Sequence, residues 1–260
     1  MPNARELQCQ VLELRWLTST VMGIRLRAKK AVRFEGGQFV AVKVPNGPKR
    51  LYSFASPPSE LLHPNEFELC VKYLLGGAGS EYLAGLKPGD SMEVWGPYGD
   101  FIYETDPSRS ACFIATGTGI APMRSIVLSE QFQKDPPLSA TLLFGARDQS
   151  DILYPAVFEK AGCEVIYALS QASAKVLPIG APQATSQIFK GRITAYLESL
   201  PKHTDFRTTD FYLCGNNEMI SDVTAILTQG FGVSPQAIHA EAFGSTVVTP
   251  SLISPLKKAA

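Results

Sequence analysis

Residues 1–106 consist of short stretches in which apolar and polar positions partly alternate, separated by breaks rich in Gly and Pro. Such alternation is typical of half-buried strands, and Gly and Pro mark the turns between them. The predicted strands are VLELRWL, VMGIRLRA, QFVAVKV, LYSFAS, FELCVKYLL and SMEVWG. Six strands at this close spacing, interrupted by one short helix over 80–86, predict an antiparallel β-barrel or sandwich.

After Asp106 the pattern changes to apolar runs that alternate with amphipathic segments. The predicted strands are ACFIATG, TLLFGAR, EVIYALS, DFYLCG and AIHAEAF, and a helix over IAPMRSIVLSEQFQK follows the first of them. Strands that alternate with helices predict βαβ units in a parallel sheet, and the polar residues 171–190 predict a surface loop. We therefore expect a six-stranded antiparallel barrel domain over 1–106, a doubly wound parallel α/β domain over 107–244 and a tail over 245–260. The interface between two such domains is a natural place for a cofactor.

Composition excludes several classes of protein. Lys plus Arg and Asp plus Glu both number 24, so the formal net charge is zero and no basic field for nucleic acid is expected. The cysteines and histidines are scattered, so we predict neither a metal site nor a disulfide framework. A signal-peptide pattern and an apolar run of about 20 residues are both missing, which predicts a cytoplasmic protein without a membrane span.

Two segments of the predicted barrel carry groups that suit a ligand with a ring and a phosphate. In Arg50-Leu51-Tyr52-Ser53 the alternation places Arg50 and Tyr52 on one side of a strand, where Arg matches phosphate and Tyr offers a flat face for stacking. The run of small residues 76–80 precedes a predicted helix, so its backbone can approach an anion closely and Ser80 can cap the helix. Taken alone, the tetrapeptide 50–53 is better explained as an ordinary strand with an exposed Arg, and the run 76–80 is explained equally well by a Gly-rich turn and a capped helix.

Three features lie at the predicted carboxyl edge of the parallel sheet, where ligands bind in open α/β folds. The segment 116–122, TGTGIAP, follows an apolar strand and opens a helix, as a dinucleotide-binding loop does, although it lacks the third Gly of that fingerprint. Cys214 ends a strand, and by itself it is expected to be a small core residue. Glu241 stands in the apolar setting HAEAFG, where its charge must be paired, hydrogen-bonded or neutralised by a proton.

Taken in order, these segments resemble the ferredoxin–NADP reductase family over residues 5–244. The matching segments are RLYSFAS, LCVKY, GGAGSEYL, LKPGD, VWGPYGDF, ATGTGIAPMRS, LLFGARDQSDILY, YALS, YLCGNNEMI and EAF. The resemblance implies a flavin-binding barrel followed by a Rossmann-like NAD(P)-binding domain. It further implies an oxidoreductase that moves electrons by hydride transfer between NAD(P)H and FAD. The form GGAGSEYL matches members that contain FAD, so FAD is expected rather than FMN.

The resemblance also implies roles for individual residues. Tyr52 would stack on the isoalloxazine ring of the flavin, and Arg50 would hold its phosphates together with the start of the short helix. Ser53, Cys214 and Glu241 would form the catalytic group where the nicotinamide meets the flavin. The expected cofactor-binding residues are Arg50, Leu51, Tyr52, Ser53, Cys70, Val71, Lys72, Gly77, Gly79, Ser80, Thr116, Gly117, Arg147, Ser170, Gln171 and Phe243.

One departure from the family pattern bears on the coenzyme. In members specific for NADP an arginine follows the LS or VS dipeptide and grips the 2′-phosphate, whereas Gln171 follows Ser170 here. Because a dianionic phosphate without a bidentate partner is poorly recognised, we expect NADH rather than NADPH. Lys175, Lys190 and Arg147 are the alternative anchors.

The resemblance implies a one-electron redox partner as well. Reductases of multicomponent oxygenases carry a ferredoxin domain, whereas this sequence shows neither cluster cysteines nor room for one. The acceptor is therefore expected to be a separate ferredoxin or another one-electron redox protein. Two alternatives stay open, namely a reductase of free flavin or another small acceptor and an electron-transfer subunit of a larger complex. Acceptor kinetics and copurification separate them.

Overall fold

The computed structural model describes residues 5–45, 47–58, 63–172 and 186–243. The expected tail over 245–260 and Lys175 lie outside these residues. None of the helices in the described ranges is long and apolar enough to cross a lipid bilayer.

The first half folds into an antiparallel sheet of six strands that closes towards a barrel. Its elements are β1 (Arg5–Trp16), β2 (Val21–Ala28), β3 (Phe39–Val42), β4 (Arg50–Ser53), β5 (Glu66–Lys72), α1 (Ala78–Ala84) and β6 (Ser91–Tyr98). The strand order is β4-β3-β6-β1-β2-β5, and a bridge between Phe54 and Leu69 joins its two ends. Met22, Ile24 and Leu26 alternate with outward-facing residues and are fully buried, as the period of two requires.

The second half is a parallel sheet of six strands flanked by helices. Its elements are β7 (Ser110–Thr116), α2 (Ile120–Val127), α3 (Glu130–Lys134), β8 (Ala140–Ala146), α4 (Val157–Lys160), β9 (Glu164–Leu169), β10 (Ser186–Lys190), α5 (Ile193–Ser199), β11 (Thr209–Gly215), α6 (Asn217–Ala225) and β12 (Ile238–Ala242). The strand order is β10-β9-β8-β7-β11-β12. The order reverses between β7 and β11, which creates the crevice typical of doubly wound sheets. The predicted fold class is confirmed.

Two local predictions were wrong. The predicted helix over 120–134 is divided into α2 and α3, because Ser129 accepts a hydrogen bond from the amide of Phe132 and starts a new helix there. The predicted loop over 171–190 contains β10, which pairs in parallel with β9 at the edge of the sheet. Its residues are half-buried or exposed, and they lack the continuous apolar run by which the other parallel strands were recognised.

The two halves share one apolar cluster. Val21, Ala55 and Cys70 of the barrel side pack with the buried residues around α2 and β7. α2 approaches the barrel at Gly36, where a β-carbon would lie 2.9 Å from the α-carbon of Ile126. Because this contact is between backbones, α2 lies directly on the barrel, and the loop that precedes it is held at the crevice.

Candidate functional site

A cleft of about 1010 Å³ lies between the barrel and the carboxyl edge of the parallel sheet. It is larger than most sites for a single small molecule, which span roughly 300–1,000 Å³. One wall comes from β4, the end of β5 and α1, and the opposite wall comes from the loops after β7, β8 and β11. The cleft is thus at the domain interface and at the strand-order reversal.

β4 presents a cation and an aromatic ring on the barrel wall. Arg50 and Tyr52 are half-buried in the cleft, and Ser53, which also lines it, is 2% exposed. The stem of Arg50 crosses α1 so closely that a β-carbon on Gly79 would lie 3.0 Å from its Cγ. Burial raises the pKa of Tyr52 to about 12, so the phenol keeps its proton. These groups suit a phosphate-bearing ring compound.

Ser80 does not cap the helix, which corrects the expected capping role. It lies inside α1, where its hydroxyl accepts a hydrogen bond from the Leu74 amide and approaches the carbonyls of Leu74 and Gly77 at 3.0 Å. Glu81 of the same helix accepts a bond from the amide of Gly76 at 2.8 Å. The glycine-rich turn is therefore fixed by side chains of α1, and its backbone is held at the mouth of the cleft.

The loop after β7 forms the opposite wall. Gly117 has φ +53° and open space where a β-carbon would stand, so the backbone there can contact a ligand directly. Gly119 is packed against β11, and a β-carbon on it would lie 2.2 Å from the carbonyl oxygen of Cys214. This close approach joins the loop to the end of β11 at the point where the strand order reverses.

A hydrogen bond joins the two walls. The Ser53 hydroxyl donates to Oε2 of Glu241 at 3.3 Å, across 188 residues of sequence. Burial is the main cause that raises the pKa of Glu241 to about 7; the hydrogen bond from Ser53 opposes this rise, and nearby Asp100 contributes to it. Glu241 can therefore hold or release a proton near neutral pH at the place where the two domains meet.

This pKa has a measurable consequence for stability. Between the ordinary value of 4.5 and about 7, the folded protein keeps the Glu241 proton and the unfolded chain loses it, so the free energy of unfolding falls as pH rises through that range. Glu241→Gln cannot lose a proton and is expected to lack this decline. Urea unfolding of both proteins at pH 5 and pH 8 tests it. The free energy of unfolding of the variant, relative to that of the native chain, should be higher at pH 8 than at pH 5. If this difference between the two proteins were the same at both pH values, the expectation would be wrong.

Cys214 lies beneath the cleft surface. It pairs with Glu241 in the register of β11 and β12, yet it is 0% exposed and belongs to the apolar cluster shared by the two halves. Burial raises its pKa well above the ordinary thiol value, and the neighbouring Glu241 raises it further. The thiol is therefore neutral and packs behind the site.

The structure brings most of the predicted site residues into one cleft. Those that line it are Arg50, Leu51, Tyr52, Ser53, Cys70, Lys72, Gly77, Gly79, Ser80, Thr116, Gly117, Arg147, Ser170, Glu241 and Phe243. Cys214, Val71 and Gln171 do not line it. Val71 points into the barrel core because it alternates with Cys70 and Lys72 along β5.

Sequence reasoning missed several residues of the cleft. Arg192, just before α5, lies on the same wall as Arg147, whereas the alternative anchor Lys190 does not line the cleft. Asn216 accepts a bond from the amide of Met219 at 2.7 Å and starts α6 at the crevice. The segment NNEM after a strand end was the available signal for α6, whereas Arg192 follows a strand that the pattern did not reveal.

Residues 9–103 match the family described as oxidoreductase FAD-binding domain, and residues 113–225 match the oxidoreductase NAD-binding domain. Ferredoxin–NADP reductase B of Sorangium cellulosum (strain So ce56) is 32% identical over 226 residues, which make up 82% of this chain and 87% of that protein. The chain belongs to the ferredoxin–NADP reductase family. It is a flavoprotein oxidoreductase that uses FAD and a pyridine nucleotide, which confirms the resemblance seen in the sequence.

Two similar reductases are larger than this chain. The reductase component DmpP of phenol 2-monooxygenase from Pseudomonas sp. (strain CF600) is 29% identical over 223 residues, which are 82% of this chain but 59% of that protein. The crystal structure of the Amycolatopsis cytochrome P450 reductase GcoB is 27% identical with a TM-score of 0.75, over 92% of this chain and 70% of that one. The chain thus spans only part of the oxygenase reductase components that it resembles.

Proposed function

We propose that this chain oxidises NADH by hydride transfer to FAD and delivers the two electrons singly to a separate ferredoxin or oxygenase component. Each NADH yields NAD⁺, one proton and two electrons, and each of two acceptor molecules takes one electron. The observation that carries the proposal is the Ser53–Glu241 hydrogen bond, because it joins the barrel wall to the coenzyme wall inside one cleft. When bound, FAD supplies the exchange between a two-electron and a one-electron carrier.

The residues of the cleft have positioning roles in this proposal. Arg50 and the turn before α1 hold the flavin phosphates, and Tyr52 presents its ring to the flavin. Gly117 leaves room for the diphosphate of the coenzyme, and Thr116 lines the cleft beside it. Ser53 and Glu241 orient the reacting rings, and Glu241 holds a proton near neutral pH. Cys214 does not line the cleft; it is part of the apolar cluster that packs behind the cleft residues.

The acceptor is proposed from the names of the relatives. One is a ferredoxin–NADP reductase and another is the reductase component of a phenol monooxygenase. Both names describe a reductase that serves a second redox protein. This similarity supports a protein acceptor over free flavin, and turnover with a purified ferredoxin compared with turnover with free FMN distinguishes the two.

NADH is proposed as the preferred coenzyme. Ser170 lines the cleft, but the next residue, Gln171, does not, so the position that carries an arginine in members specific for NADP offers no cation. Arg147 and Arg192 are exposed side chains on the same wall and are the groups that would recognise a 2′-phosphate if NADPH were preferred.

Anaerobic titration of the FAD-loaded protein tests the proposal. Visible flavin absorbance is followed while NADH or NADPH is added. We expect bleaching by NADH at a concentration at least about tenfold lower than for NADPH, which corresponds to roughly 1.4 kcal/mol of discrimination. Preference for NADPH would refute the coenzyme assignment and point to Arg147 and Arg192. Flavin that stays oxidised with both coenzymes would refute the enzymatic function.

A further inference from the structure

The outer face of β5 is turned towards the second domain. Phe67, Leu69 and Val71 point into the barrel core, whereas Cys70 belongs to the apolar cluster shared with α2 and β7. Glu68 is two residues before Cys70, so it lies on the same outer face, and its side chain is 13% exposed. A carboxylate is thus placed at the domain interface, next to a residue that lines the cleft.

Glu68 contacts three donors from both halves of the chain. The Tyr154 hydroxyl donates to its Oε1 at 3.0 Å, and Arg15 of β1 donates to the same oxygen at 3.2 Å. Arg124 of α2 forms an ion pair with Oε2 at 3.6 Å. Tyr154 and Arg124 belong to the second domain, so this one carboxylate joins the barrel to two separate elements of that domain.

The two groups from the second domain also support each other. The guanidinium of Arg124 lies over the Tyr154 ring at 4.4 Å from its centroid, and Arg124 donates through Nη1 to the carbonyl of Ala55. Tyr154 has φ +51°, a left-handed conformation that costs energy for a residue with a side chain. Burial raises the pKa of Tyr154, so the phenol remains a donor at neutral pH.

The barrel leaves space for this contact. A β-carbon on Gly23 would lie 2.9 Å from Oε1 of Glu68. Because glycine has no β-carbon, the Glu68 carboxylate can pack against the backbone of β2 there. Arg124 is part of α2, and the loop with Thr116 and Gly117 leads directly into that helix. The contact at Glu68 is therefore connected through α2 to the wall that faces the flavin site.

We infer that Glu68 is a positioning residue that fixes the coenzyme domain against the flavin barrel and thereby sets the alignment for hydride transfer. The inference rests on the proposed function, since alignment matters only if a hydride passes between the two sites. Misplacement by about 1 Å can lower a rate by roughly 100-fold. In the proposed function the second domain alone binds the ADP portion of the coenzyme, so the affinity for that portion should not depend on Glu68.

The test compares the holoenzyme with Glu68→Leu. We expect the rate of flavin reduction at saturating NADH to fall about tenfold, while the apparent dissociation constant for NADH and the calorimetric affinity for AMP change less than about twofold. Glu68→Gln keeps an acceptor for Tyr154 and should retain most of the rate. Scanning calorimetry of the apoprotein is expected to show one transition for the native chain and two for Glu68→Leu, because the link between the domains is weakened.

Glu66→Gln is the matched control. Glu66 is on the same face of the same strand, but it binds Arg25 and Arg27 within the barrel, so its loss should leave the reduction rate unchanged. Should Glu68→Leu fail to fold, Tyr154→Phe removes only the hydroxyl and should lower the rate about threefold. A native rate in Glu68→Leu or in Tyr154→Phe would overturn the inference. A native protein that NADH and NADPH do not reduce would refute the proposed function instead, and the calorimetric transitions would still report on the link.

Discussion

Gly119→Ala is expected to destabilise the second domain by on the order of 3 kcal/mol and to weaken coenzyme binding about 100-fold. The added β-carbon would stand 2.2 Å from the carbonyl oxygen of Cys214 and 2.5 Å from its carbonyl carbon. Both atoms belong to the backbone of a central strand, so no side chain can move aside. The loop must separate from β11, and its diphosphate-binding backbone moves with it. Urea unfolding of the apoprotein and titration of the holoenzyme with NADH measure the two effects.

Gly85→Ala is the control for this prediction. Gly85 follows α1 with φ −81° and ψ −11°, a conformation open to any residue, and its nearest atoms would lie 3.5 Å from an added β-carbon. The control variant should stay within about 0.5 kcal/mol of the native stability. If Gly119→Ala were as stable as Gly85→Ala and bound NADH with native affinity, the close packing of the loop on β11 would not be required for stability or for coenzyme binding.

Arg50→Met is expected to raise the dissociation constant for FAD about 100-fold and to leave the fold intact. Met retains the apolar stem that packs over Gly79 and removes only the guanidinium. A bidentate bond from arginine to phosphate contributes about 2–3 kcal/mol, which corresponds to roughly 30- to 150-fold in affinity. Recovery of flavin fluorescence on dilution of the reconstituted protein measures the constant.

Arg33→Met provides the comparison for Arg50. Arg33 is an exposed barrel residue that does not line the cleft, so the same substitution there should leave FAD affinity within about twofold of the native value. An Arg50→Met protein that retains native FAD affinity would remove Arg50 from the flavin site. A loss of FAD affinity in both variants would indicate a general effect of the positive charge on the barrel.

The sequence predicted two of the three residues of the catalytic group at positions that the structure brings together, Ser53 and Glu241. Both residues were predicted as part of one catalytic group, and the structure joins them at 3.3 Å. The third predicted member, Cys214, is 0% exposed. Sequence position at a strand end predicts proximity to the crevice, but it does not predict whether a side chain reaches the surface, because that depends on what packs above it.

The sequence by itself determined the two-domain architecture, and most of the site residues that it predicted line the cleft. Alternation with a period of two and apolar runs are local properties, so six barrel strands and most of the parallel strands were visible without coordinates. The family pattern then brought residues as distant as Arg50 and Phe243 into one site.

Only the tertiary structure decided which side chains meet across the domains. The edge strand β10 carries a weak pattern, because no other strand of the described ranges pairs with its outer side and its residues are partly solvated. The contacts of Glu68 with Arg124 and Tyr154 join residues 56 and 86 positions apart, and no local period encodes them. Such contacts depend on how α2 packs on the barrel, which follows from close packing of the whole interface and not from any single segment.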